Sequence, residues 1–231
     1  MTMHLVGAGG TGSLLAPHLV RYMSHQPHTD ALMIWDPDEV EPRNLVRQAF
    51  SEPQVGWNKA IATAHNLRTD TANVLVVPMP TALTWQHAHE SIADKDVVFL
   101  CVDNFPTRMM VSRWVQGLPN TTLVNGGNEL HHGTAQIYIR RNDVNITPPI
   151  EFLHAEIGQP DAPSRQDLDC MAAHDGNMDM EQSAVANFLS AAWMYSIFTD
   201  AMTREIDYHE VAWDTHFGAT FADYRASEGW R

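Results

Sequence analysis

Gly7, Gly9, Gly10 and Gly12 fall within the run Val6-Gly7-Ala8-Gly9-Gly10-Thr11-Gly12-Ser13, almost at the N-terminus. Before them comes a short apolar stretch, Met3 to Val6; after them Leu14, Leu15, His18, Leu19 and Tyr22 recur at helical spacing. This is the layout of a strand, a glycine turn and a helix start, and few folds accommodate it. The glycines let the backbone approach a phosphate closely, while the unpaired N–H groups of the first helical turn and the positive end of the helix dipole hold the anion. The turn therefore reads as a nucleotide site. Glycines also occur where a strand and a helix merely pack tightly, so the residues that follow have to decide.

The next apolar strand, Ala31 to Trp35, ends in Asp36-Pro37-Asp38-Glu39-Val40. A carboxylate at the end of the second strand, roughly 20 residues beyond the glycine turn, is where a Rossmann-type fold holds the ribose hydroxyls. Asp36 reads as that ribose contact, the alternative being a turn residue before proline. Two further runs follow, Asn44-Leu45-x-Arg47-Gln48 and Gly56-x-x-Lys59-Ala60. Arg47 offers a planar, two-pronged contact to phosphate oxygens, and Lys59 in the first turn of a helix adds a mobile point charge. Asn44 and Gln48 supply uncharged hydrogen bonds to ribose or phosphate. Taken singly, Arg47 and Lys59 are also explained as solvated surface charges and Asn44 as a turn former. Their clustering behind a strand-end acid favours a ligand, because the chain has only 14 basic residues against 28 acidic ones, a formal charge of −14.

The strand-end acid, the Asn-Leu-x-Arg-Gln run and the Gly-x-x-Lys helix start resemble the ThiF/MoeB superfamily, the adenylyltransferases that include the ubiquitin-activating enzymes, in order and close to it in spacing. The resemblance implies binding of ATP with Mg²⁺ and adenylation of a carboxylate, the C-terminus of a small ubiquitin-like or sulfur-carrier protein, in a homodimer. It makes Gly7, Gly9, Gly10, Gly12, Asp36, Asp38, Asn44, Arg47, Gln48 and Lys59 the nucleotide-binding set. It also makes Arg47, Lys59, Asp103 and Cys170 the residues of the chemistry. Asp103, in Val102-Asp103-Asn104, matches the family acid that helps hold Mg²⁺, a role suited to a single carboxylate beside phosphate oxygens; a helix N-cap ahead of Phe105 is the alternative. Cys170 matches the crossover-loop cysteine that accepts the acyl group in many members. Asp167 and Asp169 beside it oppose a lowered thiol pKa, His174 offsets them if it comes close, and an incidental thiol is the alternative. Common members also carry, ahead of the glycine strand, a helix whose arginine reaches the partner's ATP, and paired Cys-x-x-Cys zinc motifs. This sequence opens on the glycine strand and lacks the Cys-x-x-Cys pairs, as a compact variant would.

Further along, strands are expected at Asn73 to Met79, Asp96 to Val102 and Thr121 to Asn125, with helical segments from Trp85 to Ile92 and from Phe105. Gly126-Gly127-Asn128 reads as a tight turn before an antiparallel strand from Gly133 to Arg140. Pro148 to Met178 is irregular, Met180 to Met202 is a helix with its apolar face through Val185, Phe188, Leu189, Ala192, Tyr195 and Ile197, and Glu205 to Tyr224 forms a hairpin. The fold class that follows is α/β: a Rossmann-like, mostly parallel sheet with helices on both faces and added antiparallel strands, as a single domain over 1–231 with a crossover loop at about 148–178. With 44% hydrophobic residues the chain can build a core. Its negative charge disfavours nucleic acid and anionic membranes as partners. No run approaches the roughly 20 apolar residues of a bilayer span and no signal-peptide layout is present, so the expected location is the cytoplasm. With two cysteines, Cys101 and Cys170, a four-cysteine zinc site is excluded; Cys101, inside a strand, reads as core, and the histidines, His87, His89, His131, His132 and His216 among them, as surface or core residues. Two rivals remain: an NAD-dependent oxidoreductase sharing the glycine turn and Asp36, and a catalytically silent nucleotide-fold module that binds partners.

Overall fold

A computed structural model describes residues 1–27, 30–67, 74–129, 131–152, 154–158 and 184–223. Cys170 and most of the 148–178 stretch lie outside the described residues, as do Asn73, residues 180–183 and Tyr224. The described strands form one nine-stranded sheet. Strands β1 (Met3–Val6), β2 (Ala31–Trp35), β3 (Leu75–Met79), β4 (Val97–Leu100) and β5 (Thr121–Asn128) run parallel in the order β3-β2-β1-β4-β5. Antiparallel strands β6 (His132–Arg141), β8 (Glu210–Asp214) and β9 (Ala219–Asp223) extend the β5 side, and the short β7 (Val144–Asn145) pairs with β6. The order reverses between β1 and β4, which opens a crevice at their carboxyl ends, the usual ligand position in such sheets.

Both faces are covered. Met3, Leu5, Leu32, Ile34, Val97, Phe99, Val124 and Ile137 point to one side, against helices α1 (Gly10–Met23), α2 (Lys59–Asn66) and the helix Ala184–Thr203. Val6, Trp35, Val98, Leu100, Leu123 and Tyr138 point to the other, against α3 (Trp85–Ser91), α4 (Phe105–Gln116) and the 3-10 turn Ala155–Gly158. The near-continuous apolar runs of β1 and β4 follow from burial on both faces.

Two expectations need correction. Gly126-Gly127-Asn128 is not a turn: it continues β5 to Asn128, with Gly126 opposite Ala135 and Gly127 opposite Thr134. Glycine is required at 126 because a Cβ there would run into Met194 and lie 3.0 Å from the Ser190 hydroxyl, so it marks the close approach of a helix to the sheet. That helix, α5 (Ala184–Thr203), also buries a face that shares only Ile197 with the one expected. Ala186, Asn187, Ser190, Ala191, Met194, Ile197 and Phe198 are inside, whereas Val185 is 56% and Phe188 59% exposed. The residues that turn inward near its start are mostly small, and they let the helix axis come close to the sheet.

Candidate functional site

The glycine turn is held by its neighbours rather than by its own sequence alone. Gly7 adopts φ +93°, donates its N–H to the Trp35 carbonyl at 2.8 Å, and sits so close to the end of β4 that a Cβ would lie 2.8 Å from the Cys101 carbonyl. At Gly12 a Cβ would overlap the Gly7 carbonyl oxygen. Gly9 differs: φ is −78° and a Cβ would meet only the Gln48 side chain, at an ordinary 3.8 Å. Packing does not demand glycine there, and the bare backbone leaves a cradle open. Gly9 is also the N-cap of α1 and makes no side-chain capping bond, and the first turn carries no acid. Among the described residues, the dipole end and first-turn N–H groups are thereby left without a side-chain acceptor.

Asp36 sits where β2 ends, 5% exposed. One carboxylate oxygen accepts the Ala8 N–H at 2.7 Å and the other accepts the Asp38 N–H at 2.9 Å. The side chain thus ties the end of β2 to the glycine turn, a bracing role that the sequence did not reveal; each oxygen retains a further lone pair for a hydroxyl donor. Burial raises its pKa, opposed by the Ala8 and Asp38 N–H groups and by the charge of Lys59. Lys59 is not the mobile charge expected of it. Its side chain is 11% exposed and its ammonium lies 3.0 Å from a carboxylate oxygen of Asp38, which is itself 57% exposed. A buried ammonium needs such a partner. Asn58 organises this corner: it caps α2 by accepting from the N–H groups of Ala60 and Ile61, and its amide donates to the carbonyls of Asp36 and Asp38.

The loop 42–48 carries the third group. Asn44 is buried, and its side-chain oxygen accepts the Glu41 N–H at 2.9 Å, so that oxygen serves the fold of the loop. The N–H groups of Arg47 and Gln48 both reach the Asn44 carbonyl, and the Ala49 N–H donates to the Ser13 hydroxyl of α1 at 3.1 Å. The loop is therefore stapled to the helix that starts at the glycine turn. Gln48 lies beside Gly9, and its carboxamide oxygen is buried with no hydrogen-bond partner among the described residues. An orphaned buried acceptor is costly, about 1–3 kcal/mol, unless a ligand donor meets it.

Asp103 lies beyond the end of β4 and is exposed. The helix cap is Asn104, whose side chain accepts the Thr107 N–H at 2.9 Å, so Asp103 is left outside the helix. Arg108, one turn into α4, donates to the carbonyls of Val102 and Gly126 and to the Asn125 side chain, bracing the ends of β4 and β5 beside it. Cys101 touches Met194 at 3.9 Å, and burial pushes its thiol up to about 12, so it is not a nucleophile at neutral pH. The residues brought to the crevice are thus Gly7, Gly9, Gly10, Gly12, Asp36, Asp38, Asn44, Arg47, Gln48, Lys59 and Asp103. Asn58, Arg108 and Asn187 join them and were not singled out in the sequence, because each acts on backbone carbonyls supplied by other segments.

Over 135 residues the chain is 33% identical to the adenylyltransferase and sulfurtransferase MOCS3 of Caenorhabditis briggsae, covering 58% of this chain and 32% of that protein. Over 137 residues it is 31% identical to the ubiquitin-like modifier-activating enzyme 5 of Rattus norvegicus, covering 54% of this chain and 33% of that protein. The chain thus spans about a third of the length of these relatives. Its fold superposes on the E. coli MccB structure with ATP at a TM-score of 0.71 and 16% identity, covering 96% of this chain and 63% of that one. Residues 1–192 match the profile of the ThiF family, and the chain belongs to that family.

Proposed function

We propose that the protein binds ATP with Mg²⁺ in the crevice at the ends of β1, β2 and β4 and transfers AMP to a carboxylate, the C-terminus of a small ubiquitin-like or sulfur-carrier protein. The observation that carries this reading is the set of unmet polar groups around the glycine turn. Among the described residues, the start of α1 has no side-chain cap, the Gln48 carboxamide oxygen has no hydrogen-bond partner, and the backbone at Gly9 stands open. These features fit a polyphosphate with a hydroxyl-bearing ribose. MOCS3 is named an adenylyltransferase and sulfurtransferase and the second relative a ubiquitin-like modifier-activating enzyme, which supports adenylation and a ubiquitin-like or sulfur-carrier partner.

In this mechanism a carboxylate oxygen bonds to the α-phosphorus while the bond from that phosphorus to its bridging oxygen breaks, and pyrophosphate leaves with the electron pair. No general base is needed, since a carboxylate is already ionised at neutral pH. The protein positions the reactants and stabilises charge. Asp36 holds the ribose, the N–H groups at the start of α1 hold phosphate oxygens, and Asn44, Arg47, Gln48 and Lys59 complete the contacts. The Asp38 carboxylate holds the Lys59 ammonium in place. Asp103, kept outside the α4 cap, would hold Mg²⁺, which supplies neutralisation of phosphate charge. Cys170 is the proposed acceptor of the activated acyl group, and the protein acts as a cytoplasmic homodimer formed of single-domain chains. No helix among the described residues is long and apolar enough to cross a membrane.

The experiment is ATP–pyrophosphate exchange in the presence of a small carrier ending in Gly-Gly. Carrier-dependent exchange, abolished by Asp103→Ala and retained by Cys170→Ala, is the expected result. Nucleotide binding without exchange for any cognate carrier would favour the silent binding module instead.

A further inference from the structure

Asn187 is a polar residue on the inward face of a helix that also buries Ala186, Ser190, Ala191, Met194, Ile197 and Phe198. It is 6% exposed, and a carboxamide is buried at a cost unless both of its ends are satisfied. Here both are. Its amide donates to the Arg47 carbonyl at 3.2 Å and its oxygen accepts from the Asn128 side chain at 2.9 Å. The same carboxamide packs on the glycine turn, where a Cβ at Gly10 would overlap it. Three segments far apart in sequence, the turn at 10, the loop at 47 and the end of β5 at 128, therefore meet on one side chain. Gly10 thus has a reason for being glycine that is independent of any phosphate.

We propose that Asn187 is the positioning residue of the nucleotide site: by holding the Arg47 carbonyl against the glycine turn, it fixes the backbone from which the Arg47 side chain projects. The inference rests on the nucleotide reading above. It places Asn187 behind the site, acting through Arg47. Its loss should weaken ATP binding only as far as Arg47 is thereby misplaced.

The test is a double-mutant cycle read by calorimetric ATP binding in Mg²⁺, with thermal unfolding of each variant. Asn187→Leu keeps the number and branching of the side-chain heavy atoms and removes both hydrogen bonds; it should raise the Kd about tenfold, the usual scale for lost buried hydrogen bonds. In an Arg47→Ala background the same substitution should change the Kd less than about twofold, the non-additivity of residues that act as a unit. Asn187→Ser, small enough to leave the turn undisturbed, serves if Asn187→Leu does not fold, with the same comparison expected. A second pair reads the geometry whatever the ligand: Gly10→Ala should unfold at lower temperature, and Asn187→Ala should cost less in the Gly10→Ala background than in the wild type. Equal fold-losses of affinity in the presence and absence of Arg47, or an unchanged Kd in the single variant, overturn the positioning role while leaving the nucleotide reading intact. A wild-type protein that binds no ATP overturns the nucleotide reading itself, and the positioning role with it.

Discussion

His154 stands between two carboxylates, its Nε2 2.7 Å from Glu210 of β8 and its Nδ1 2.9 Å from Glu156. Glu210 does most to raise the imidazole pKa, burial opposes it and Glu156 adds to it, and the value reaches about 9 against an ordinary 6.5. Because the folded value lies above the unfolded one, the stabilisation is fully present below pH 6.5 and is lost as the pH rises through about 9. Its ceiling is about 3 kcal/mol at roughly 1.4 kcal/mol per pKa unit. The side chain keeps 28% of its surface exposed, and solvent screening brings the figure to about 1–2 kcal/mol. For a chain of this size that corresponds to about 2–8 °C in Tm. The assay is thermal unfolding of the wild type and of His154→Gln at pH 7 and at pH 10. The wild type should lead by that margin at pH 7, and the gap should shrink to the worth of a neutral hydrogen bond at pH 10. A gap of equal size at both pH values would refute the reasoning, because it would show that the residue stabilises by packing rather than by charge.

Two glycines of the turn should separate packing from ligand binding. Gly12→Ala drives a Cβ into the Gly7 carbonyl and should prevent stable folding, whereas Gly9→Ala meets nothing closer than 3.8 Å and should leave the Tm unchanged while weakening ATP binding; calorimetry with thermal unfolding reads both. With its thiol at about 12, Cys101 should be about one part in ten thousand thiolate at pH 8, so alkylation followed by peptide mapping should find it unmodified until the chain is unfolded. Asn58→Ala removes the α2 cap and the two carbonyl contacts that hold the Asp36–Asp38 corner; it should cost about 1–2 kcal/mol in urea unfolding, the scale of a lost N-cap.

The parallel half of the sheet was legible because each strand is a short apolar run closed by a turn or helix signal, and β1 and β2 begin and end where the runs do. The crevice was legible for the same reason: Asp36 ends a strand and Gly7 to Gly12 begin a helix, so their placement is local. What escaped reading depends on contacts across the sequence. The helix Ala184–Thr203 is apolar nearly all round, so spacing alone did not choose between the face with Phe188 and the face with Met194; close approach to the glycine-bearing β5 chose the second. Gly126 looked like a turn because a glycine records only that a side chain is excluded, not what excludes it. Asn187 and Arg108 serve carbonyls of Arg47, Val102 and Gly126, partners that no spacing rule marks. Lys59 was recognised as a charge in the first turn of α2, but its partner Asp38 and its burial belong to the folded corner.

The measurement that tests the central claim most directly is calorimetric binding of ATP and of NAD, each with and without Mg²⁺, to the wild type, Arg47→Ala and Asp103→Ala. The account predicts Mg²⁺-dependent ATP binding that both substitutions weaken, and no binding of NAD. Tight NAD binding, indifferent to Mg²⁺ and to both substitutions, would contradict it and make the crevice a dinucleotide site of an oxidoreductase.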